Sequence, residues 1–144
     1  MSNVNYIAIA KTASLMSKDR TKIGAVAQGF NRADIGIGFN GYPPGYDDTN
    51  FDDKYEKVIH AEMNAIINSR LTRGQIQRVY IYGLPPCKDC MKHLAAYGVL
   101  EVVYCVNPNI ASSDTWRSCF ESHKELHPYI NFLEIDHAEL DGYL

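Results

Sequence analysis

The sequence predicts an α/β fold with a single mixed five-stranded sheet and helices on both faces. Three observations indicate this class: strand-like and helix-like segments alternate, two early strands flank a turn, and a later strand is almost entirely apolar. The chain contains no internal repeat, low-complexity tract or Gly/Ser linker. We therefore expect residues 1–144 to form one domain.

The first half of the chain predicts a helix and a hairpin. Apolar residues recur among few helix breakers over residues 5–17, as in a packed helix. Residues 23–28 and 35–40 read as two short strands around the turn-like residues 29–32. Residues 41–57 are too rich in Pro, Gly and Asp for a regular element, and loops of this length are usually functional.

The second half predicts three helices alternating with three strands. The helices are expected over residues 60–71, 87–97 and 113–126, and the strands over residues 78–82, 102–106 and 130–135. From residue 35 onward, this alternation implies parallel crossovers with helices on both sides of one sheet.

Charge and hydropathy exclude several classes of protein. The 144 residues contain 14 Lys+Arg and 17 Asp+Glu, a formal net charge of −3 with no basic block, so we expect no nucleic-acid partner. No apolar run reaches 18 residues, and the first ten residues lack the basic start of a signal peptide. We expect no membrane partner and a cytoplasmic location.

Two motifs point to a catalytic metal site. His60-Ala61-Glu62 is followed by Pro86-Cys87-Lys88-Asp89-Cys90, and H-x-E…P-C-x-x-C is identified as the signature of zinc nucleobase deaminases. A catalytic zinc ion takes three protein ligands and leaves a fourth position for water. His60, Cys87 and Cys90 provide those three, because two cysteines three residues apart at a helix start share one face and favour the thiolate.

Glu62 is the predicted proton carrier of this site. Two residues after His60, it projects about 200° away around an ideal helix, so it is not expected to be a fourth ligand. Near the start of a helix it can face the water at the metal, accept a proton from it and return the proton to the ring nitrogen and the leaving ammonia.

Beyond the zinc motif, the chain resembles the deoxycytidylate deaminases. The matching blocks cover about residues 5–120 and are Ser17-Lys18-Asp19, Ile23-Gly24-Ala25-Val26, Gly38-Phe39-Asn40-Gly41-Tyr42-Pro43-Pro44-Gly45 and Val103-Tyr104-Cys105. The resemblance implies a cytidine-deaminase-like fold, and hydrolysis of deoxycytidylate (dCMP) to dUMP and ammonia, which supplies dUMP for thymidylate synthesis.

The resemblance also implies substrate contacts. Asn40 would hydrogen-bond the deoxyribose 3′-hydroxyl, and the Ala61 backbone would meet the pyrimidine edge. Tyr104 would help to shape the nucleotide pocket. Arg20 and Lys22 are the cations nearest to the expected phosphate position.

By the same resemblance, the loop after the hairpin binds a regulatory nucleotide. In this family dCTP activates and dTTP inhibits, usually with Mg²⁺ and in a hexamer, so we expect a homo-oligomer. Glycines permit close backbone approach to phosphate, and an aspartate of the loop (Asp47, Asp48, Asp52 or Asp53) would hold the hydrated metal. The expected contacts are Asn40, Gly41, Tyr42, Pro43, Gly45 and Asp48.

Two departures from the family pattern affect the site. Gly83-Leu84-Pro85-Pro86-Cys87 stands where relatives commonly have T-x-S-P-C, so the usual Thr and Ser near the pocket are missing. Some relatives carry a second, structural zinc in the long loop, but residues 41–59 contain neither Cys nor His. We expect one zinc ion per chain.

Several alternatives remain open at this stage. A tRNA adenosine deaminase shares both motifs but needs a basic face for its RNA, and a guanine or free-cytidine deaminase is a closer rival. A C-x-x-C pair alone also suits a redox protein. From a different class, the chain would be a catalytically inactive zinc-binding scaffold that senses nucleotides. Cys105 and Cys119 are assigned no function.

Overall fold

The computed structural model describes residues 2–49, 52–110 and 115–142. The helices are α1 (Asn3–Ser14), α2 (Lys54–Lys57), α3 (Ala61–Ser69), α4 (Lys88–Tyr97) and α5 (Thr115–Lys124), with a 3₁₀ helix at His137–Leu140. The strands are β1 (Gly24–Gly29), β2 (Ile35–Phe39), β3 (Ile76–Gly83), β4 (Glu101–Val106) and β5 (Asn131–Glu134). Residues 113 and 114 of the helix predicted over residues 113–126 lie outside the described residues.

The five strands form one mixed sheet in the order β2-β1-β3-β4-β5, which confirms the predicted architecture. β1 pairs antiparallel with both β2 and β3, whereas β3, β4 and β5 are parallel. The hairpin was predicted, but the position of β1 between β2 and β3 was not. β2 and β3 run in the same direction without pairing with each other, because β1 lies between them and pairs with both.

Alternate residues of each strand pack on opposite faces of the sheet, as the pleat requires. On one face, Val79 and Ile81 join side chains of α3, α4 and α5 in one apolar cluster. On the other, Tyr80 and Tyr82 pack with α1 and the 3₁₀ helix. Helices therefore cover both faces, as predicted. No helix in the described part of the chain is long and apolar enough to cross a bilayer.

Two glycines of β2 set the position of α3. A Cβ atom on Gly38 would lie 2.4 Å from the backbone nitrogen of Ala65, and one on Gly36 would lie 2.2 Å from the Ala65 carbonyl oxygen. Both distances are below van der Waals contact. The absence of side chains at these two positions lets the helix rest directly on the edge strand.

Two helices begin one residue later than the sequence predicted. His60 and Cys87 were expected inside helices, but each has an extended backbone and is the N-cap of α3 and α4, respectively. The proline-rich, glycine-rich loop also contains the short helix α2, which its composition did not predict. These shifts place reactive side chains at helix ends, where the cavity described below opens.

Candidate functional site

The N-termini of α3 and α4 bring three predicted zinc ligands together. His60 Nδ1 lies 3.2 Å from Cys90 Sγ and 3.6 Å from Cys87 Sγ. The backbone N–H of Cys90 donates to Cys87 Sγ at 3.4 Å, which caps the first turn of α4. Among the described residues, this is the one group of His, Cys, Asp and Glu side chains close enough to hold a metal.

The donor set fits Zn²⁺. One imidazole nitrogen and two thiolates are typical zinc ligands, and a tetrahedral ion at its usual bond lengths leaves ligand atoms about 3.5–3.8 Å apart. The possible ligand atoms of the three residues all lie within 4.8 Å of one another. Three protein ligands leave one coordination position for a small molecule, as in catalytic rather than structural zinc sites.

The pKa values of the two thiols are shifted in opposite directions. Hydrogen bonds from Cys90 and His60 lower the pKa of Cys87 to about 4, so Cys87 is a thiolate at neutral pH. The hydrogen bond to Cys87 and burial raise the pKa of Cys90, which keeps its proton. The hydrogen bond to Cys87 also raises the pKa of His60. Metal binding therefore requires the loss of a proton from Cys90.

Glu62 is buried beside this cluster, on the first turn of α3. Its side chain is 4% exposed, and burial raises the pKa of its carboxyl group, an effect that the neighbouring His60 partly offsets. Because His60 is the N-cap rather than part of the regular helix, both residues line the same cavity. A buried carboxyl with a raised pKa is suited to accept and release protons near neutral pH.

The cavity next to the cluster has a volume of about 310 Å³. Its apolar wall includes Leu84 and Pro85, the residues at which the sequence departs from the family pattern. Small-molecule sites commonly have this size and combine apolar walls with a few polar groups. The full lining is Asp19, Thr21, Ile23, Asn40, Lys54, Tyr55, Val58, His60, Ala61, Glu62, Leu84, Pro85 and Cys87.

Two of the five expected substrate contacts line this cavity, Asn40 and Ala61. Asn40 is buried, and its side chain is fixed by two backbone contacts: Oδ1 accepts from the Ile23 N–H at 3.0 Å, and Nδ2 donates to the Thr21 carbonyl at 2.6 Å. An amide carries two N–H groups. Asn40 thus shapes the wall and still has a donor to offer a ligand.

Tyr104 and the two expected phosphate cations do not line the cavity. Tyr104 packs edge-on against Phe120 at 5.0 Å and its hydroxyl donates to Glu134 at 3.3 Å, so a core position replaces the expected pocket position. Arg20 is exposed outside the cavity, and the Lys22 ammonium donates to the Ser17 carbonyl. Position along the chain does not specify where a side chain points, and the substrate contacts expected of these three residues stay predictions.

The cavity instead contains Lys54 and Asp19, neither of which was predicted as a substrate contact. Lys54 begins the short helix α2 inside a segment that the sequence predicted as a loop, and no periodicity marks it. Asp19 belongs to the Ser17-Lys18-Asp19 block, which contributed to the family resemblance but was assigned no contact with the substrate. Their side chains meet at 3.2 Å across a separation of 35 residues.

The expected regulatory loop has its own contacts. Asp48 pairs with Lys18 at 2.9 Å, and Asp53 pairs with Lys57 at 2.8 Å while accepting a hydrogen bond from the Tyr42 hydroxyl. The loop aspartates form no metal-ready cluster within the described residues.

Comparison with known proteins places these residues within a family pattern. Residues 2–106 match the family described as "Cytidine and deoxycytidylate deaminase zinc-binding region". A Caenorhabditis elegans protein named "Probable deoxycytidylate deaminase" is 39% identical over 71% of this chain and 56% of its own length. Human "Deoxycytidylate deaminase" is 33% identical over 69% of this chain and 61% of its own length. The chain thus spans about three fifths of these relatives.

A solved structure shares the fold. The dCMP deaminase from the cyanophage S-TIM5, in apo form, aligns over 92% of this chain and 96% of its own, with a TM-score of 0.66 and 23% identity. At this identity the match supports the sheet and helix arrangement.

Proposed function

Since this chain belongs to the cytidine and deoxycytidylate deaminase family, we propose that it hydrolyses dCMP to dUMP and ammonia, with one zinc ion per chain. The product would supply thymidylate synthesis. The observation that carries the proposal is the buried Glu62 carboxyl beside His60, Cys87 and Cys90, on the wall of a cavity of about 310 Å³. Relatives named for the same substrate support it.

The proposed reaction exchanges the amino group of cytosine for oxygen. When bound, Zn²⁺ supplies Lewis-acid activation of water. Glu62 accepts a proton from the attacking water as its oxygen bonds to C4 of the ring. The carboxyl gives this proton to ring nitrogen N3, takes the second proton from the hydroxyl now on C4, and passes it to the amino group as the C4–N bond breaks. Water thus contributes its oxygen to uracil and both protons to N3 and ammonia.

The remaining walls of the cavity would orient the base and the sugar. We assign the Ala61 backbone to the pyrimidine edge, because it lies between His60 and Glu62 on the cavity surface. Leu84 and Pro85 would pack against the ring, replacing polar contacts with apolar area. The remaining N–H of Asn40 would meet the deoxyribose 3′-hydroxyl.

We further propose that a regulatory triphosphate with Mg²⁺ binds to the loop after the hairpin, with dCTP activating and dTTP inhibiting a hexamer. The proposed contacts are Asn40, Gly41, Tyr42, Pro43, Gly45 and Asp48. Gly45 has a φ of +86° with open space around it, which suits close approach of a phosphate. Tyr42 contacts Asp53 next to α2, and α2 carries the cavity residues Lys54 and Tyr55. A rearrangement of this loop would therefore shift α2 and the cavity residues that it carries.

A substrate panel tests the proposed function. Zinc-loaded protein is offered dCMP, cytidine, guanine and an adenosine-containing tRNA stem loop, with dCTP and Mg²⁺ present, while ammonia release is measured. We expect ammonia from dCMP and less when dTTP replaces dCTP. Turnover of another substrate in place of dCMP would contradict the substrate assignment. Absence of turnover on all four, at one zinc per chain, would support a nucleotide-sensing scaffold instead.

Light scattering tests the proposed assembly. We expect a hexamer when nucleotide and Mg²⁺ are present. A monomer under those conditions would contradict the oligomer proposal without affecting the assignment of the substrate.

A further inference from the structure

The wall of the cavity carries an ion pair that the reaction chemistry does not use. Lys54 Nζ lies 3.2 Å from Asp19 Oδ1, with side chains 27% and 8% exposed, respectively. Among the described residues that line the cavity, Lys54 is the one Lys or Arg. A partly buried ion pair facing a ligand cavity stabilises a fold only weakly, so recognition is a better explanation for its position.

Asp19 is held in place by the backbone around it. Its Oδ1 accepts from the Thr21 N–H at 3.0 Å, and its own N–H donates to Ser17 Oγ at 3.2 Å. Ser17 in turn donates to the Asn40 carbonyl at 2.8 Å. The carboxylate is therefore a fixed anchor that holds the flexible Lys54 chain against the cavity wall.

The anchored ammonium retains hydrogen-bonding capacity. A lysine ammonium has three N–H donors, and the structure assigns one of them to Asp19. Phosphate oxygens are strong acceptors for such charged donors. Because Arg20 and Lys22 do not line the cavity, a phosphate bound there would find its cation at Lys54.

Resting on the proposed deamination, we propose that the Lys54–Asp19 pair determines which 5′-phosphate the cavity accepts. Lys54 binds the phosphate of a nucleoside monophosphate and thereby favours it over the free nucleoside. The charge of Asp19 cancels that of Lys54, so the pair has no net charge. The Asp19 carboxylate therefore repels the additional phosphate groups of a triphosphate, and no further cation compensates. The pair therefore favours the monophosphate over both the free nucleoside and the triphosphate.

Removal of the cation tests the first half of the proposal. For Lys54→Met in the zinc-loaded protein, we expect kcat/KM for dCMP to fall about 100-fold, the scale of one charged hydrogen bond, while kcat/KM for deoxycytidine changes less than about threefold. Lys54→Arg should recover much of the preference for dCMP. The matched control is Lys57→Met, because Lys57 lies on the same helix, pairs with Asp53 and does not line the cavity.

Removal of the anion tests the second half, with an effect in the opposite direction. Asp19→Asn keeps an oxygen that can accept from the Thr21 N–H but removes the charge. We expect kcat/KM for dCTP relative to dCMP to rise about tenfold, because a charge–charge repulsion is lost. A purely structural role for Asp19 would lower turnover of both substrates together and would contradict the proposal.

A binding measurement separates this proposal from the proposed function, because it requires no turnover. Calorimetry on the zinc-loaded protein compares dUMP with deoxyuridine and dUTP. We expect wild type to bind dUMP most tightly and Lys54→Met to lose the preference over deoxyuridine. If Lys54→Met retains zinc and keeps the preference for dUMP, or loses affinity for dUMP and deoxyuridine equally, Lys54 does not bind the phosphate. Failure of wild type to deaminate dCMP would overturn the proposed function and leave this comparison intact.

Discussion

His60 Nδ1 lies 3.2 Å from Cys90 Sγ, although thirty positions of sequence separate the two residues. The contact exists because α3 and α4 begin at the same edge of the sheet and each begins with a proposed metal ligand as its N-cap. Several measurable consequences follow from this arrangement.

Loss of one ligand should remove the metal and the activity together. We expect Cys87→Ser to reduce zinc from one ion per chain to well below that, and to lower the melting temperature, because a metal that binds only the folded state stabilises it. Metal analysis with thermal unfolding measures both effects. Cys119→Ser is the control, since Cys119 is exposed on α5 and outside the cluster; equal zinc loss in both variants would refute the assignment.

Zinc uptake should release protons and weaken as the pH falls. The pKa of Cys87 is lowered to about 4, so it needs no deprotonation at pH 7, whereas the raised pKa values of Cys90 and His60 keep protons on both groups over a wider range. We expect at least about one proton released per zinc ion at pH 7, and lower affinity at pH 5 than at pH 7. Calorimetry in buffers of different ionisation enthalpy counts the protons. An affinity independent of pH would disprove this charge assignment.

Adding a methyl group to β2 should displace α3. A Cβ on Gly38 would lie 2.4 Å from the backbone nitrogen of Ala65. This clash is with the backbone of α3, so it can be relieved only if the helix moves away from β2. We expect Gly38→Ala to lower the free energy of unfolding by about 1–3 kcal/mol and to reduce turnover, because α3 carries Glu62. Denaturant unfolding measures the first effect. Gly41→Ala, whose nearest neighbour would be 3.7 Å away, should change stability much less.

Asn40 should contribute to stability apart from any role in binding. Asn40→Ala removes the acceptor of the Ile23 N–H and the donor to the Thr21 carbonyl, so we expect a loss of about 1–3 kcal/mol. Asn31→Ala is the matched control, because its side chain accepts one N–H, from Ala33, at an exposed turn. Equal losses of unfolding free energy in the two variants would show that burial of the Asn40 contacts is unimportant.

The strands and the longer helices were predictable because hydrophobic periodicity and turn residues act over a few neighbouring positions, whereas the short helix α2 was not. The metal ligands were predictable because the two motifs together are a deaminase signature. The C-x-x-C at a helix start and the H-x-E motif each specify local geometry within a few residues, and the fold brings the two motifs together. The Lys54–Asp19 pair was not predictable, since its partners lie 35 residues apart, Asp19 outside any helix or strand and Lys54 on the four-residue helix α2, and neither follows a periodic pattern. The orientation of Tyr104 was not predictable either, because side chains of a strand alternate between the two faces of the sheet, and here its ring packs against Phe120.

The most direct test of the account compares wild type with Glu62→Gln, both zinc-loaded, on dCMP with dCTP and Mg²⁺ present. Ammonia release is measured together with zinc content. We predict turnover in wild type and a loss of at least about 100-fold in Glu62→Gln, with zinc retained at one ion per chain, because general acid–base catalysis of this kind contributes about 10²–10⁴-fold. Unchanged turnover in Glu62→Gln would contradict the proposed mechanism.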